Sequence, residues 1–127
     1  KWKDENFRAS GHAAPTGIAL TAIAYQWFSP CVTKYWSGEM VVDDLQALKN
    51  LLQRINQDWG CGLNVKLPVE PYNNLFEKLK ESNNHIAEYK TKMSNLYADV
   101  NSAFCANNDS TAIAYLQRQF GNDFASY

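Results

Sequence analysis

The sequence lacks an excess of charge of either sign. Its 127 residues include 12 Lys and Arg and 13 Asp and Glu, so the formal net charge is -1. Proteins that bind nucleic acid or acidic lipid electrostatically carry a basic patch, and this balance gives no reason to expect one. We therefore predict that nucleic acid is not a partner.

A long uninterrupted apolar run is also absent. Residues 9–33 contain no Asp, Glu, Lys or Arg, but Pro15, Pro30 and several polar residues interrupt the stretch. A membrane-spanning helix needs about 20 strongly apolar residues, more than lie between the two prolines. We therefore expect no membrane span here, but a buried helix from about Pro15 to Phe28. Because this helix is apolar nearly all round, its expected place is the middle of a bundle or against a second subunit.

The motifs of common enzyme classes are missing as well. There is no glycine-rich phosphate loop, no Ser-His-Asp order and no haem attachment motif. His85 and Glu88 have a spacing that can hold a metal, but di-iron bundles use Glu-x-x-His twice with two further glutamates, and here the order is reversed and single. Cys61 lacks a recognisable base, since neither His12 nor His85 has a partner arrangement. We predict a protein that is not an enzyme, with no metal and no cofactor.

Cysteine is scarce and scattered. Cys31, Cys61 and Cys105 are too far apart for a zinc clip. One disulfide with a leftover thiol, in a chain that begins at Lys1 and not at Met, favours a secreted or periplasmic protein. The alternative is three buried thiols in a cytoplasmic protein. If a disulfide forms, we expect it to join Cys31, after the first predicted helix, to Cys105, at the end of the longest.

What the sequence does contain is a long helical pattern from Tyr72 to Ala106. A heptad seam of apolar residues runs through it at alternating spacings of three and four, interrupted only by Ser82. One helix of this length measures about 50 Å, roughly twice its predicted neighbours, so it either overhangs and meets another chain or bends near Ser82. We expect one long helix over residues 72–106. The seam residues are Tyr72, Leu75, Leu79, Ser82, Ile86, Tyr89, Met93, Leu96, Val100 and Ala103.

Two further helices complete the predicted fold. Asp43 is a predicted N-cap, with Gln46 three positions on, for a helix that ends near Asp58. A last helix begins at Asp109 or Ser110, and its predicted inward stripe is Ile113, Leu116, Phe120 and Phe124. The predicted fold is therefore all-α, a single helical bundle of about four helices in one domain over residues 1–127. Residues 1–12 form a tail that docks by Trp2 and Phe7 or frays.

An aromatic cluster is the main candidate for a functional site. Tyr25, Trp27, Phe28, Tyr35 and Trp36 place five aromatic rings within twelve residues. Such rings are typical of partner-binding patches and apolar pockets, and also of core at the end of a bundle. The leading hypothesis is a non-enzymatic interaction protein that binds a protein partner or its own copies. The alternatives are a subunit of a filament or larger assembly, and a carrier of a small apolar ligand between helices.

Overall fold

The protein folds as an all-α helical bundle with one small β-hairpin. The computed structural model describes residues 2–7, 15, 17–34, 36–59 and 76–125. Four of the described helices have eleven or more residues, which agrees with the predicted bundle. In chain order the elements are α1 (Trp2–Asn6), α2 (Gly17–Trp27), β1 (Val32–Lys34), β2 (Met40–Val42), α3 (Asp44–Gln57), α4 (Glu77–Lys80), α5 (Asn83–Phe104) and α6 (Asp109–Phe120).

Local capping determines where α3 and α6 begin. The Gln46 backbone N–H donates to Asp43 Oδ1 over 3.0 Å. The Thr111 backbone N–H donates to Asn108 Oδ1 over 2.8 Å. Each side chain satisfies one of the N–H groups that a helix start leaves without an intrahelical partner. The predicted starts of both helices are confirmed.

Helix α5 runs antiparallel to α3. Lys49 Nζ of α3 lies 4.5 Å from the ring centroid of Phe104, at the C-terminal end of α5. Trp59, just past the end of α3, meets Tyr89 near the start of α5, with ring centroids 5.8 Å apart. Residue numbers therefore rise along one helix as they fall along the other. Helix α6 packs on α5 after a short connection.

The predicted helix over residues 72–106 is not continuous. Ser82 is extended, with φ of -133° and ψ of 130°, and it separates α4 from α5. A serine followed by Asn83 and Asn84 offers backbone groups alternative hydrogen bonds, which weakens a helix at that point. The remaining 22-residue helix is roughly 33 Å long. Residues 72–75 lie outside the described residues.

The seam is buried within the chain on both sides of this break. Its α5 residues and the side chains of Phe76 and Leu79 belong to one core, and α4 packs against α5. The described part of the seam therefore needs no second chain to cover it. The buried residues of this part are Leu79, Tyr89, Met93, Leu96, Val100 and Ala103, and Phe76 beside the seam is buried with them.

Helix α6 only partly follows its predicted stripe. Leu116 and Phe120 pack against the core, whereas Ile113 is half-buried and does not join it. The prediction that Phe124 points inward is wrong, because the helix ends at Phe120 and the side chain of Phe124 is exposed. Gly121, at a φ of 93° that favours glycine, turns the chain away from the helix axis.

The described part of the N-terminal tail, residues 2–7, docks on the bundle, which was one of the two predicted outcomes. Trp2 and Phe7 are buried and pack edge to face, with ring centroids 5.4 Å apart. Trp2 Nε1 donates to Gln119 Oε1 over 3.1 Å, and Asn6 Nδ2 donates to the Gln119 carbonyl over 3.0 Å. Helix α1 is thereby held against the C-terminal end of α6.

The described buried residues of helix α2 lie on one face. Ala19, Ala22 and Ile23 are buried at spacings of three and one, which places them on a single face. Tyr25 is 76% exposed. The expectation that this helix lies in the middle of the bundle is therefore wrong, and the alternative, that it lies against a second subunit, stays a prediction. Within the described residues, no helix combines the length and the apolar character that crossing a membrane requires.

Candidate functional site

The end of α2 and the β-hairpin together expose a set of large apolar side chains. We call this set the exposed apolar surface. Its exposed fractions run from 43% for Phe28 to full exposure for Trp36. Isolated apolar residues on a protein surface are ordinary, but six exposed ones within residues 25–42 make this segment the candidate site. Its members are Tyr25, Phe28, Val32, Trp36, Met40 and Val42.

Helix α2 contributes the first two members. Tyr25 lies outside the buried face of the helix, and the Phe28 backbone N–H donates to the Ala24 carbonyl over 2.9 Å, which continues the last helical turn. Trp27, between them, is half-buried and packs against the core, and the guanidinium of Arg54 lies 5.0 Å from its ring centroid. This cation–π contact attaches the end of α2 to α3. Tyr25 and Phe28 remain available on the outside.

The hairpin contributes the other apolar members. Its strands are antiparallel, with Val32 opposite Val42 and Lys34 opposite Met40. Residues that face each other across a strand pair, and alternate residues along a strand, point to the same side of a sheet. Val32, Lys34, Met40 and Val42 therefore share one face, and all four are exposed. Among the described elements, the two strands pack mainly on each other.

The hydrogen-bond register determines which backbone groups the hairpin leaves outside. The Asp43 N–H donates to the Cys31 carbonyl over 2.8 Å. In an antiparallel pair, bonded and non-bonded residue pairs alternate, so Val32 and Val42 form a non-bonded pair. The same holds for Lys34 and Met40. The backbone N–H and C=O groups of these four residues point away from the partner strand.

Trp36 lies at the turn between the two strands. Gly38 has a φ of 84°, and no described atom lies within 4 Å of the place a Cβ would take. The positive φ explains why a glycine suits this turn. The turn holds Trp36 beyond the end of the strands, where its ring is fully exposed. A tryptophan in this position is a suitable anchor for a partner's apolar pocket.

Charged residues lie at both ends of β2. Glu39 precedes it, and Asp43 and Asp44 follow it. The Asp43 carboxylate caps α3, and the side chains of Glu39 and Asp44 are exposed. On β1 the edge residue Lys34 carries the opposite charge. The residues at the β2 edge of the hairpin are therefore negatively charged, and the edge of β1 carries a positive charge.

The structure leaves three of the five predicted aromatic residues exposed, and it exposes further apolar residues on the hairpin. Tyr25, Phe28 and Trp36 are exposed, Trp27 is half-buried, and Tyr35 lies outside the described residues. The members that the sequence analysis did not predict are Val32, Met40 and Val42, which lie between the first two predicted helices. A signal existed, since short β-branched runs lie on either side of Ser37 and Gly38, a pattern typical of hairpins.

The predicted disulfide is not formed. Cys31 and Cys105 are both free thiols, one half-buried and one exposed. Asn50 Nδ2 donates to Cys31 Sγ over 3.4 Å. Cys61 lies outside the described residues. Export, which was inferred partly from the cysteines, stays a prediction.

A buried polar network lies between α5 and α6. Gln119 Nε2 donates to Asp99 Oδ2 over 2.6 Å, and Arg118 Nη1 lies 3.4 Å from Asp99 Oδ1. Gln119 Oε1 accepts from the Trp2 indole. Since an indole only donates and a carboxylate only accepts, the orientation of the Gln119 amide is determined. The network joins α1, α5 and α6, and each of these polar groups has a partner.

A cleft of about 320 Å³ beside the network is lined by Asn95, Ala98, Asp99, Arg118 and Gln119. The hydrogen bonds of Asp99 and Gln119 explain their burial without a ligand. Among the described residues, no group of three or more His, Cys, Asp and Glu side chains is arranged to hold a metal ion. We therefore assign the cleft no chemistry.

Tyr89 is a second buried titratable residue, and it lies outside the exposed apolar surface. Its ring packs against Trp59 and Phe76, with centroids 5.8 and 5.5 Å away. Its hydroxyl has no hydrogen-bond partner among the described residues. Burial raises the pKa of Tyr89 well above its ordinary value, since the charged form is poorly solvated there. The group is neutral at physiological pH.

Comparison with protein-family models, curated proteins and solved structures finds no match to this chain.

Proposed function

We propose that this chain is a non-enzymatic interaction protein that binds a protein partner through the exposed apolar surface. The observation that carries the proposal is the full exposure of Trp36, together with exposed Met40 and Val42, on a hairpin whose strands pack mainly on each other among the described elements. Fully burying a side chain of this kind is worth about 1.5–3 kcal/mol. A partner that covers several of them therefore gains enough free energy for specific binding.

A library of random displayed peptides, selected on the immobilised protein, tests the proposal. We expect selected peptides to bind the wild-type chain and to lose about tenfold or more in affinity for the variants Trp36→Ser and Met40→Ser. Phe124→Ser is the matched control, since this exposed ring lies outside the exposed apolar surface. Circular dichroism checks that all three variants keep their helices.

Two outcomes overturn the proposal. One is that no peptide is enriched, or that Phe124→Ser weakens binding as much as Trp36→Ser. The other is self-association: a dimer seen by light scattering in the 14.4 kDa wild-type chain, and lost in Trp36→Ser, would mean that the partner is another copy. A monomer that binds selected peptides only through Trp36 and Met40 supports the proposal.

A further inference from the structure

The outer edge of β2 offers unpaired backbone groups. The N–H and C=O groups of Met40 and Val42 point away from β1, and no described residue hydrogen-bonds them. Such an edge can add a further strand from another protein, and its main-chain hydrogen bonds then contribute to affinity. The side chains of Met40 and Val42 would meet alternate side chains of the added strand.

The two edges of the hairpin are not equivalent. The edge of β1 carries Lys34 and is preceded by Pro30, and both lysine and proline are devices that block edge-to-edge pairing. The edge of β2 carries neither, since Met40 and Val42 are its edge residues. Strand addition is therefore favoured at β2.

Charge selects the kind of strand that fits. Glu39 lies before the apolar residues of β2, and Asp43 and Asp44 lie after them. A strand with Lys or Arg on both sides of an apolar centre places opposite charges across the pair, which is favourable. Antiparallel pairing of β2 with β2 of a second copy, in the register that overlaps all of Met40–Val42, places Glu39 opposite Asp43 of the other copy. This register is disfavoured because the charges are alike.

We propose that the edge of β2 binds an extended segment of a partner protein, apolar at its centre and basic at both ends. This inference rests on the proposed function and specifies how the partner binds. The extended segment forms an antiparallel strand on β2, and its apolar side chains cover Val42 and Met40.

Synthetic peptides of alternating valine and threonine test the proposal, one flanked by lysines and one by glutamates. We expect the lysine peptide to bind the full chain at least about tenfold more tightly at low salt, by fluorescence anisotropy, and the difference to shrink as salt rises. Equal binding of the two peptides would overturn the charge argument.

The variant Val42→Pro removes one outward N–H and no hydrogen bond of the hairpin. We expect it to lose about tenfold in affinity for the lysine peptide, whereas the matched change Val32→Pro on the other edge leaves binding within about twofold. A lysine peptide with N-methyl groups on the residues that face β2 tests the same bond on unaltered protein, and its binding should fall similarly. Equal effects of the two proline variants, or full binding of the methylated peptide, would overturn the assignment to β2.

Failure of this inference can be told apart from failure of the proposed function. If library-selected peptides depend on Trp36 but are indifferent to Val42→Pro, the exposed apolar surface binds partners without strand addition, and only the inference is overturned. If no peptide binds the wild-type chain, both are overturned.

Discussion

The helices α3, α5 and α6 and the hairpin use apolar residues in opposite ways. On α5 the apolar residues repeat at helical spacing, and Tyr89, Met93 and Val100 are at most 2% exposed. On the hairpin, Val32 and Val42 face each other across the strands and stay open to solvent. The apolar residues of α5 stabilise the fold because they are buried within the chain. The apolar residues of the hairpin remain exposed to solvent. Partner binding is expected where burial is incomplete.

The largest expected effect is the loss of stability when a core residue is truncated, compared with truncation of a hairpin residue. Leu52, on α3, is 3% exposed in the core, so Leu52→Ala should lower the free energy of unfolding by about 2–5 kcal/mol. Met40→Ala on the hairpin should change it by no more than about 0.5 kcal/mol. Denaturant unfolding followed by circular dichroism measures both. A large loss for Met40→Ala would show that the hairpin belongs to the cooperative core.

The next largest effect is expected from disruption of the buried polar network between α1, α5 and α6. Gln119→Ala leaves the buried Trp2 N–H and the Asp99 carboxylate each short of a partner, at a cost of about 1–3 kcal/mol. Hydrogen exchange should also show faster opening of α1. Arg118→Ala is the control, and because its side chain is 65% exposed its ion pair should contribute little. Equal losses would place the stabilisation in the ion pair instead.

Removing the hydroxyl of Tyr89 should raise the free energy of unfolding, in contrast to the two preceding substitutions. Because it is buried without a partner among the described residues, Tyr89→Phe should stabilise the protein by about 1 kcal/mol, whereas Tyr25→Phe on the exposed apolar surface should have no effect. A loss of stability would indicate that the hydroxyl has a partner in solution.

The burial of Tyr89 should also make the stability of the protein depend on pH. Burial raises the pKa of Tyr89 above its value in the unfolded chain, about 10. Above that pH the unfolded state binds fewer protons than the folded state, so stability is full below about pH 10 and falls by up to about 1.4 kcal/mol per unit on approach to the folded pKa. Tyr89→Phe should remove the part of this loss of stability that comes from ionisation of Tyr89. The measurement is the free energy of unfolding against pH for the wild-type chain and for the variant. Parallel profiles would contradict the burial of the phenol.

The smallest effects come from the two N-caps. Asp43→Ala and Asn108→Ala each remove a cap hydrogen bond and should cost about 1 kcal/mol. Only Asp43→Ala also removes a charge beside β2, so it alone should weaken binding of the lysine-flanked peptide. If both variants weaken it alike, the effect comes from lost stability and not from charge.

The sequence allowed much of the bundle to be predicted, and about half of the site. The cap at Asp43, the start of the last helix at Asp109 and the seam from Leu79 onward follow from patterns a few residues long. The cap residue Asn108 was not predicted. The break at Ser82 was recognised as the weak point, yet the seam keeps its phase through it, so periodicity alone favoured a continuous helix. The hairpin was missed because strands of three residues are too short for alternation to show.

What the sequence determined by itself was local: helix periods, capping side chains and the turn at Gly38, because these depend on hydrogen bonds and spacings within about four residues. The tertiary structure decided which apolar residues are buried. Trp2 meets Gln119 from the other end of the chain, and α2 buries Ala19 and Ile23 while Tyr25 stays exposed. Burial depends on which surfaces meet in the folded protein. When a helix has apolar residues on both faces, its sequence does not specify which face a neighbouring element will cover.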